Sequence, residues 1–247
     1  MPSQPQLALH VVPFSHPCLA VSAALDRLDL DYETVTLVSG GHAEEVERIY
    51  GEGRTTVPGL LVDEEPVHGT ASIFARLDEL LPEAGLYPQA TAAAIREAEA
   101  GIAEDLQSSA RVLVFGALHF RPESMGTFAG AGPLDPAGVD FAIRTVRASW
   151  RYIGITAERV HSMLQELPAQ LDAVDALLAA GAIGGDAPTA ADFQLGSSLR
   201  LLAQVGDVRP LLEERPPATV APKWFDLGSG DIPVGAFPPG WVPAAAS

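Results

Sequence analysis

At 247 residues, 47% hydrophobic and 19% charged, the sequence has the composition of a globular protein with one large core or two modest ones. A formal net charge of −17 repels phosphate backbones and anionic membrane surfaces, so neither nucleic acid nor membrane is an expected partner. One cysteine excludes an internal disulfide framework and a thiolate-rich metal cluster, and the six histidines show no metal-ligand spacing, so no metal site is expected.

Leu7 to Val12 is a short apolar run that reads as a strand. The polar stretch PFSH then opens a segment with Val21, Leu25 and Leu28 at i, i+4, i+7 spacing, which predicts a helix. YETVTLV, Tyr32 to Val38, is rich in β-branched residues and predicts a strand, and HAEEVERIY, His42 to Tyr50, a short helix. After Gly51 and Gly53, strands are expected at Gly59 to Val62 and Pro66 to His68, joined by the acidic turn Asp63 to Glu65. Ile73, Leu77 and Leu80 mark a helix that starts at Thr70 and stops before Pro82. Residues 1–82 therefore read β-α-β-α-β-β-α, the thioredoxin-like order.

Past a linker over residues 83–92, β signals nearly vanish. TAAAIREAEAGIAEDLQSSARVLVFGAL reads as one long helical pattern, and Asp135 to about Gly181 as one or two helices more, so residues 93–205 form an all-helical second domain. Between them the Gly-rich RPESMGTFAGAGPL, Arg121 to Leu134, predicts a mobile loop. The last 42 residues hold eight prolines and no helical period. Trp224, Phe225, Phe237 and Trp241 are nevertheless too apolar for a free tail, so residues 206–247 are expected to strap onto the body. No run approaches the roughly 20 apolar residues of a membrane span. The opening MPSQPQLALHVV lacks the pattern of a secretory leader, so a cytoplasmic location is expected.

Three features carry chemistry. Ser15-His16-Pro17-Cys18 has the spacing of a CxxC motif with its first sulfur replaced by oxygen, at the first strand-to-helix junction. Thr56-Val57-Pro58 places a proline before the third strand, where a cis peptide would turn the Val57 backbone groups outward and a trans proline would merely start the strand. HGTASI opens the next helix. In the helical half, PTAADFQL sets Thr189 and Asp192 at the spacing of a capping box, a structural role.

Taken together, SxxC, TVP, HGTASI and the capping box resemble the cytosolic glutathione transferase superfamily over residues 7–205. The resemblance implies a thioredoxin-like, thiol-binding first domain followed by an all-α helical bundle. It implies a serine-type site in which the Ser15 hydroxyl, helped by the helix N-terminus, steadies the thiolate of a bound thiol. Ser15 as a plain N-cap is the alternative. Val57 beside cis-Pro58 would pair with the thiol's backbone, and Thr70, with Arg54 nearby, would hold its carboxylate end. The family's acid at the opening of this helix is replaced by Gly69, and residues 1–82 hold thirteen acids against four arginines, which argues for a weaker or different thiol. Cys18 reads as a small buried packing residue or a secondary redox group, and His16 as a solvated side chain at an exposed first turn. Phe115, His119, Phe120 and Trp150 are candidates for a substrate wall, with core packing as the alternative.

The implied function is a transferase joining a thiol, glutathione or a related small thiol, to a hydrophobic electrophile, with glutathione as co-substrate and no tightly bound cofactor. A homodimer is implied as well. Two other readings stay open: a non-catalytic binding or assembly module on the same fold, and a thiol-disulfide oxidoreductase or dehalogenase using Cys18.

Overall fold

Residues 5–38 and 40–244 are described by the structure, a computed structural model. Four strands, β1 (Leu7–Val11), β2 (Glu33–Thr36), β3 (Gly59–Val62) and β4 (Glu65–His68), form one mixed sheet in the order β2-β1-β3-β4. The parallel β1–β2 pair requires a crossover, supplied by α1 (His16–Arg27), whereas β3 returns antiparallel to β1 and to β4. Val62 pairs with Glu65, so the β3–β4 turn has only Asp63 and Glu64 at its centre, both at positive φ, the two-residue hairpin geometry that matches strand twist. Helices α2 (Ala43–Tyr50) and α3 (Thr70–Leu80) complete the first half. Leu9 and Leu60 face each other in register and are buried with Val21 and Leu25 of α1 and Ile73 and Phe74 of α3.

The rest is helical apart from one isolated bridge, among the described residues: α4 (Ala92–Ala100), α5 (Ile102–Phe120), α6 (Met125–Phe128), α7 (Pro136–Ile153), α8 (Ala157–Ala179), α9 (Ala190–Ala203), α10 (Arg209–Glu213) and α11 (Val220–Trp224). This is the expected fold class, a thioredoxin-like α/β unit followed by a helical one. Helix α9 is buried almost all round and packs on α1, α5 and α11, and Phe193 stacks on Phe74 of α3 with ring centroids 5.8 Å apart. Burying apolar area on every side of one helix makes it the shared core of both halves.

Three expectations are corrected. The single long helix over residues 91–118 breaks at Gly101, whose φ of −136° and ψ of −83° leave the helical region, giving α4 and α5. Arg121–Leu134 is not simply a loop: it holds a 3-10 turn, Pro122–Ser124, and α6. Gly126 lies so close to the Gly132 carbonyl that a Cβ there would be 2.3 Å from its oxygen. The Pro-rich tail contains α10, a 3-10 turn at Pro216–Thr219 and α11, because a proline in a first helical turn costs no hydrogen bond and Pro210 and Pro216 sit there.

The capping box is formed. Thr189 Oγ1 accepts from the Asp192 amide at 3.3 Å, and Asp192 Oδ2 accepts from the Thr189 amide at 2.9 Å. The fully buried Asp192 also accepts from the Gly184 amide at 2.7 Å and from Trp224 Nε1 at 3.1 Å, which ties α11 to the start of α9. Further along, the tail runs beside the end of α9: Ile232 donates to the Gln204 carbonyl and Gly206 to the Ile232 carbonyl, both at 2.7 Å. Asp207 accepts from the amides of Gly235 and Phe237, and Phe237 is buried.

Candidate active site

At the end of β1 the chain passes through Val12, Pro13 and Phe14 before Ser15 caps α1. Ser15 has extended φ and ψ, −77° and 111°, and its Oγ accepts from the Cys18 amide at a long 3.4 Å. Accepting that bond leaves the hydroxyl proton available for donation. Half-buried Ser15 stands on the wall of a cavity of about 570 Å³. Its neighbour Phe14 takes φ of +63°, unusual for a bulky residue, and is 73% exposed, with its ring 6.2 Å from that of Phe128. Strain of this kind concentrates at functional sites. The cavity is lined by Leu9, Val11 and Leu19, by Phe128–Gly130 at the end of α6 and by Gly228–Gly230 of the tail.

His16 is not a solvated side chain. It is 6% exposed, its Nε2 has no partner among the described residues, and burial, reinforced by the nearby Arg111 guanidinium, pushes its imidazole down to about 3. The reason is tertiary: the first turn of α1 faces α5, whose Gln107 and Arg111 cover it. Cys18, one turn further, is 4% exposed, and burial raises its thiol, opposed by the Ser15 hydroxyl and Arg111. Half-buried Arg111 makes no hydrogen bond or ion pair among the described residues. Burial and then Arg159 lower its affinity for its proton. A cation with no carboxylate partner thus stands within electrostatic range of the motif.

Val57–Pro58 is cis. His10 of β1 is in register with Gly59, and carrying that register on sets Val57 beside the stretch where β1 runs out toward Ser15. Neither the N–H nor the C=O of Val57 forms a backbone hydrogen bond among the described residues. Its loop is pinned from behind. Tyr50 bonds buried His10 at 2.7 Å, His68 Nε2 contacts the Thr56 carbonyl at 2.8 Å, and Tyr50 packs so tightly on Gly59 that a Cβ there would lie 2.2 Å from the ring. Thr70 is half-buried at the start of α3, behind Gly69 at φ of +86°, and no side chain caps that helix. Arg54 is exposed. Val57, Pro58, Thr70 and Arg54 lie outside the cavity wall, on the side of Ser15 toward β3 and α3.

Phe115, His119, Phe120 and Trp150 are brought together, but away from that wall. Trp150 Nε1 donates to the Phe115 carbonyl at 2.9 Å, His119 stacks on Trp150 at 3.8 Å, and Phe120 bridges Trp150 to Trp241 of the tail. The aromatic residues that line the cavity are Phe14, Tyr32, His16 and Phe128. Sequence reasoning missed Phe14, Phe128, Arg111 and Arg200. Only Phe14, an apolar residue inside a polar junction, carried any local signal.

Residues 9–85 match the family model described as glutathione S-transferase, N-terminal domain. Solved structures extend the likeness to the whole transferase fold. A glutathione S-transferase from Methylobacterium radiotolerans, in complex with glutathione sulfonate, is 17% identical with a TM-score of 0.56, over 92% of this chain and 95% of its own. One from Rhodospirillum rubrum is 24% identical with a TM-score of 0.51, over 87% and 86%. One from Methylobacillus flagellatus, with glutathione bound, is 19% identical with a TM-score of 0.52, over 88% and 94%. No curated protein matches the chain. No helix among the described residues of this transferase-fold chain is long and apolar enough to cross a membrane.

Proposed function

We propose that this chain is a serine-type thiol transferase, which ionises the sulfur of glutathione or a related small thiol beside Ser15 and delivers it to an electrophile in the adjoining cavity. The observation that carries the reading is the half-buried Ser15 hydroxyl on the cavity wall, with its proton uncommitted. Its hydroxyl donates to the sulfur anion, the N-terminus of α1 adds partial positive charge, and Arg111 contributes a nearby cation; all three favour thiolate over thiol. The unpaired Val57 N–H and C=O offer the two bonds an extended peptide-like thiol needs, and the uncapped amides at Thr70 suit its carboxylate. Holding thiolate and electrophile in one place supplies most of the rate advantage. The resemblance extends the proposal to a homodimer in the cytoplasm, divided at residues 82, 92 and 205, with 206–247 as a strap.

Glutathione at a hundredfold excess over its dissociation constant should stabilise the protein by about 2.7 kcal/mol, read as a rise in Tm. Ser15→Ala should cut thiol addition to a model electrophile about 10- to 100-fold and move the thiol's ionisation up by one to two pH units, and Ser15→Thr should restore both. Equal rates and pH profiles in Ser15→Ala would remove the serine from the chemistry. A second reading, a non-catalytic module, is favoured by Gly69 in place of the family's acid. It would be the better one if neither glutathione nor any other biological thiol raises Tm. The burial of Cys18 weighs against chemistry at its own sulfur.

A further inference from the structure

The cavity beside Ser15 has a charge pattern at odds with the rest of the molecule. The sequence has 32 acidic residues against 15 lysines and arginines, yet among the described residues lining this cavity none is acidic and Arg200 is the one permanent charge. Arg200 projects from the last turn of α9. Its Nε donates to the Asp226 carbonyl oxygen at 2.5 Å, which fixes the side chain, and it forms no ion pair among the described residues. The Asp226 carboxylate, within electrostatic range, is turned to the Gly228 amide at 2.9 Å. Gly228, at φ of +67°, passes so close that a Cβ there would be 2.8 Å from Nη2, so the backbone clasps the guanidinium without using its outer donors. Gln204 and Ser229 stand on the same wall as further polar groups, and the remaining surface is largely apolar: Leu9, Val11, Leu19, Phe14 and Phe128.

A neighbouring cavity of about 300 Å³ also touches Arg200 but contrasts with it, since Glu213 lines it and its second arginine, Arg209, is already paired with Asp231. Leaving a fixed guanidinium half-desolvated with no carboxylate in contact with it is costly unless a ligand supplies the partner, and a planar fork of donors suits a carboxylate best.

We propose that the electrophile taken by this cavity is an aromatic or otherwise apolar compound bearing a carboxylate, and that Arg200 is the specificity residue that reads that carboxylate. The inference rests on the transferase reading for the word electrophile, but not for the binding itself. The body of such a compound packs on Phe14, Phe128 and Leu19 while its anion meets Arg200, which leaves its reactive carbon on the Ser15 side.

Binding of 4-biphenylcarboxylate and of its uncharged counterpart 4-biphenylcarboxamide to the full chain, by titration calorimetry at low and high salt, tests this. The acid is expected to bind at least about tenfold more tightly than the amide, with the preference shrinking as salt rises. Arg200→Gln should reduce the preference to about twofold, and Arg200→Lys should keep part of it. Equal binding of acid and amide to the wild type, no binding of either, or a preference that survives Arg200→Gln overturns the proposal; the wild-type comparison stands even if the variant fails to fold. A parallel glutathione titration of the wild type separates the two readings. A carboxylate preference without thiol binding sinks the transferase and keeps the acid site, and thiol binding without the preference does the reverse.

Discussion

His16 offers a test of how the two halves meet. Its imidazole is held down to about 3 by burial, against 6.5 for the ordinary group. Between those values the unfolded chain takes up a proton that the folded chain refuses. The stability this represents is therefore complete above pH 6.5 and drains away as pH falls toward 3. At about 1.36 kcal/mol per pH unit, the whole window is worth up to about 5 kcal/mol, and the step from pH 7 to pH 5 about 2 kcal/mol. For a chain of this size that step corresponds to roughly 4–8 °C in Tm. His16→Gln keeps a polar side chain and removes the titration. Urea unfolding of both proteins at pH 7 and pH 5 should show the wild type losing about 2 kcal/mol more than the variant. Because every other group, including His10, whose pKa is also lowered by burial, is common to both, the difference isolates His16. Parallel losses would mean that His16 is not sealed against α5 and that the packing between α1 and α5 is misread.

Two other buried groups make separate predictions. Asp192→Ala strips the partner from the amides of Gly184 and Thr189 and from Trp224 Nε1, and at about 1–3 kcal/mol for each orphaned buried donor it should cost at least about 3 kcal/mol in urea unfolding. A loss under about 1 kcal/mol would show that the box is ornamental. Glu99 accepts from Tyr87 at 2.8 Å and Gln194 at 2.5 Å, and burial raises its carboxyl. A raised carboxyl contributes stability below its unfolded pKa that is lost as pH climbs through the folded one. Glu99→Gln, which mimics the protonated form, should accordingly raise Tm at pH 7 and change it little at pH 4; a lower Tm at both would contradict this.

The β-α-β-α-β-β-α order was legible because each element of the first half carries its own local signal, a run of β-branched residues or an i, i+4 stripe bounded by Gly or Pro. The capping box was legible for the same reason, since Thr189 and Asp192 sit three residues apart and need nothing distant. The short helices of the tail were not legible, because prolines placed in first turns look like breakers when only their number is considered. His16 shows the opposite limit. What buries it is a helix face some ninety residues downstream, and no pattern around the SxxC motif encodes that. Arg200 was hidden likewise, being one polar position on a helix whose other residues are nearly all core.

The roof over the cavity is laced by main chain: Asp231 N–H to the Thr127 carbonyl, Ile232 N–H to the Gln204 carbonyl, Gly206 N–H to the Ile232 carbonyl. Such stitches are indifferent to most of the side chains the segment carries, the exceptions being Gly206 and Gly230, where a Cβ would lie within 3 Å of neighbouring backbone. Drift in residue identity away from those glycines leaves the roof standing, whereas inserting or deleting a single residue between Gly206 and Asp231 shifts what hangs over Ser15. The aperture of the site thereby depends on the length of this segment, which Ile232 anchors in the core.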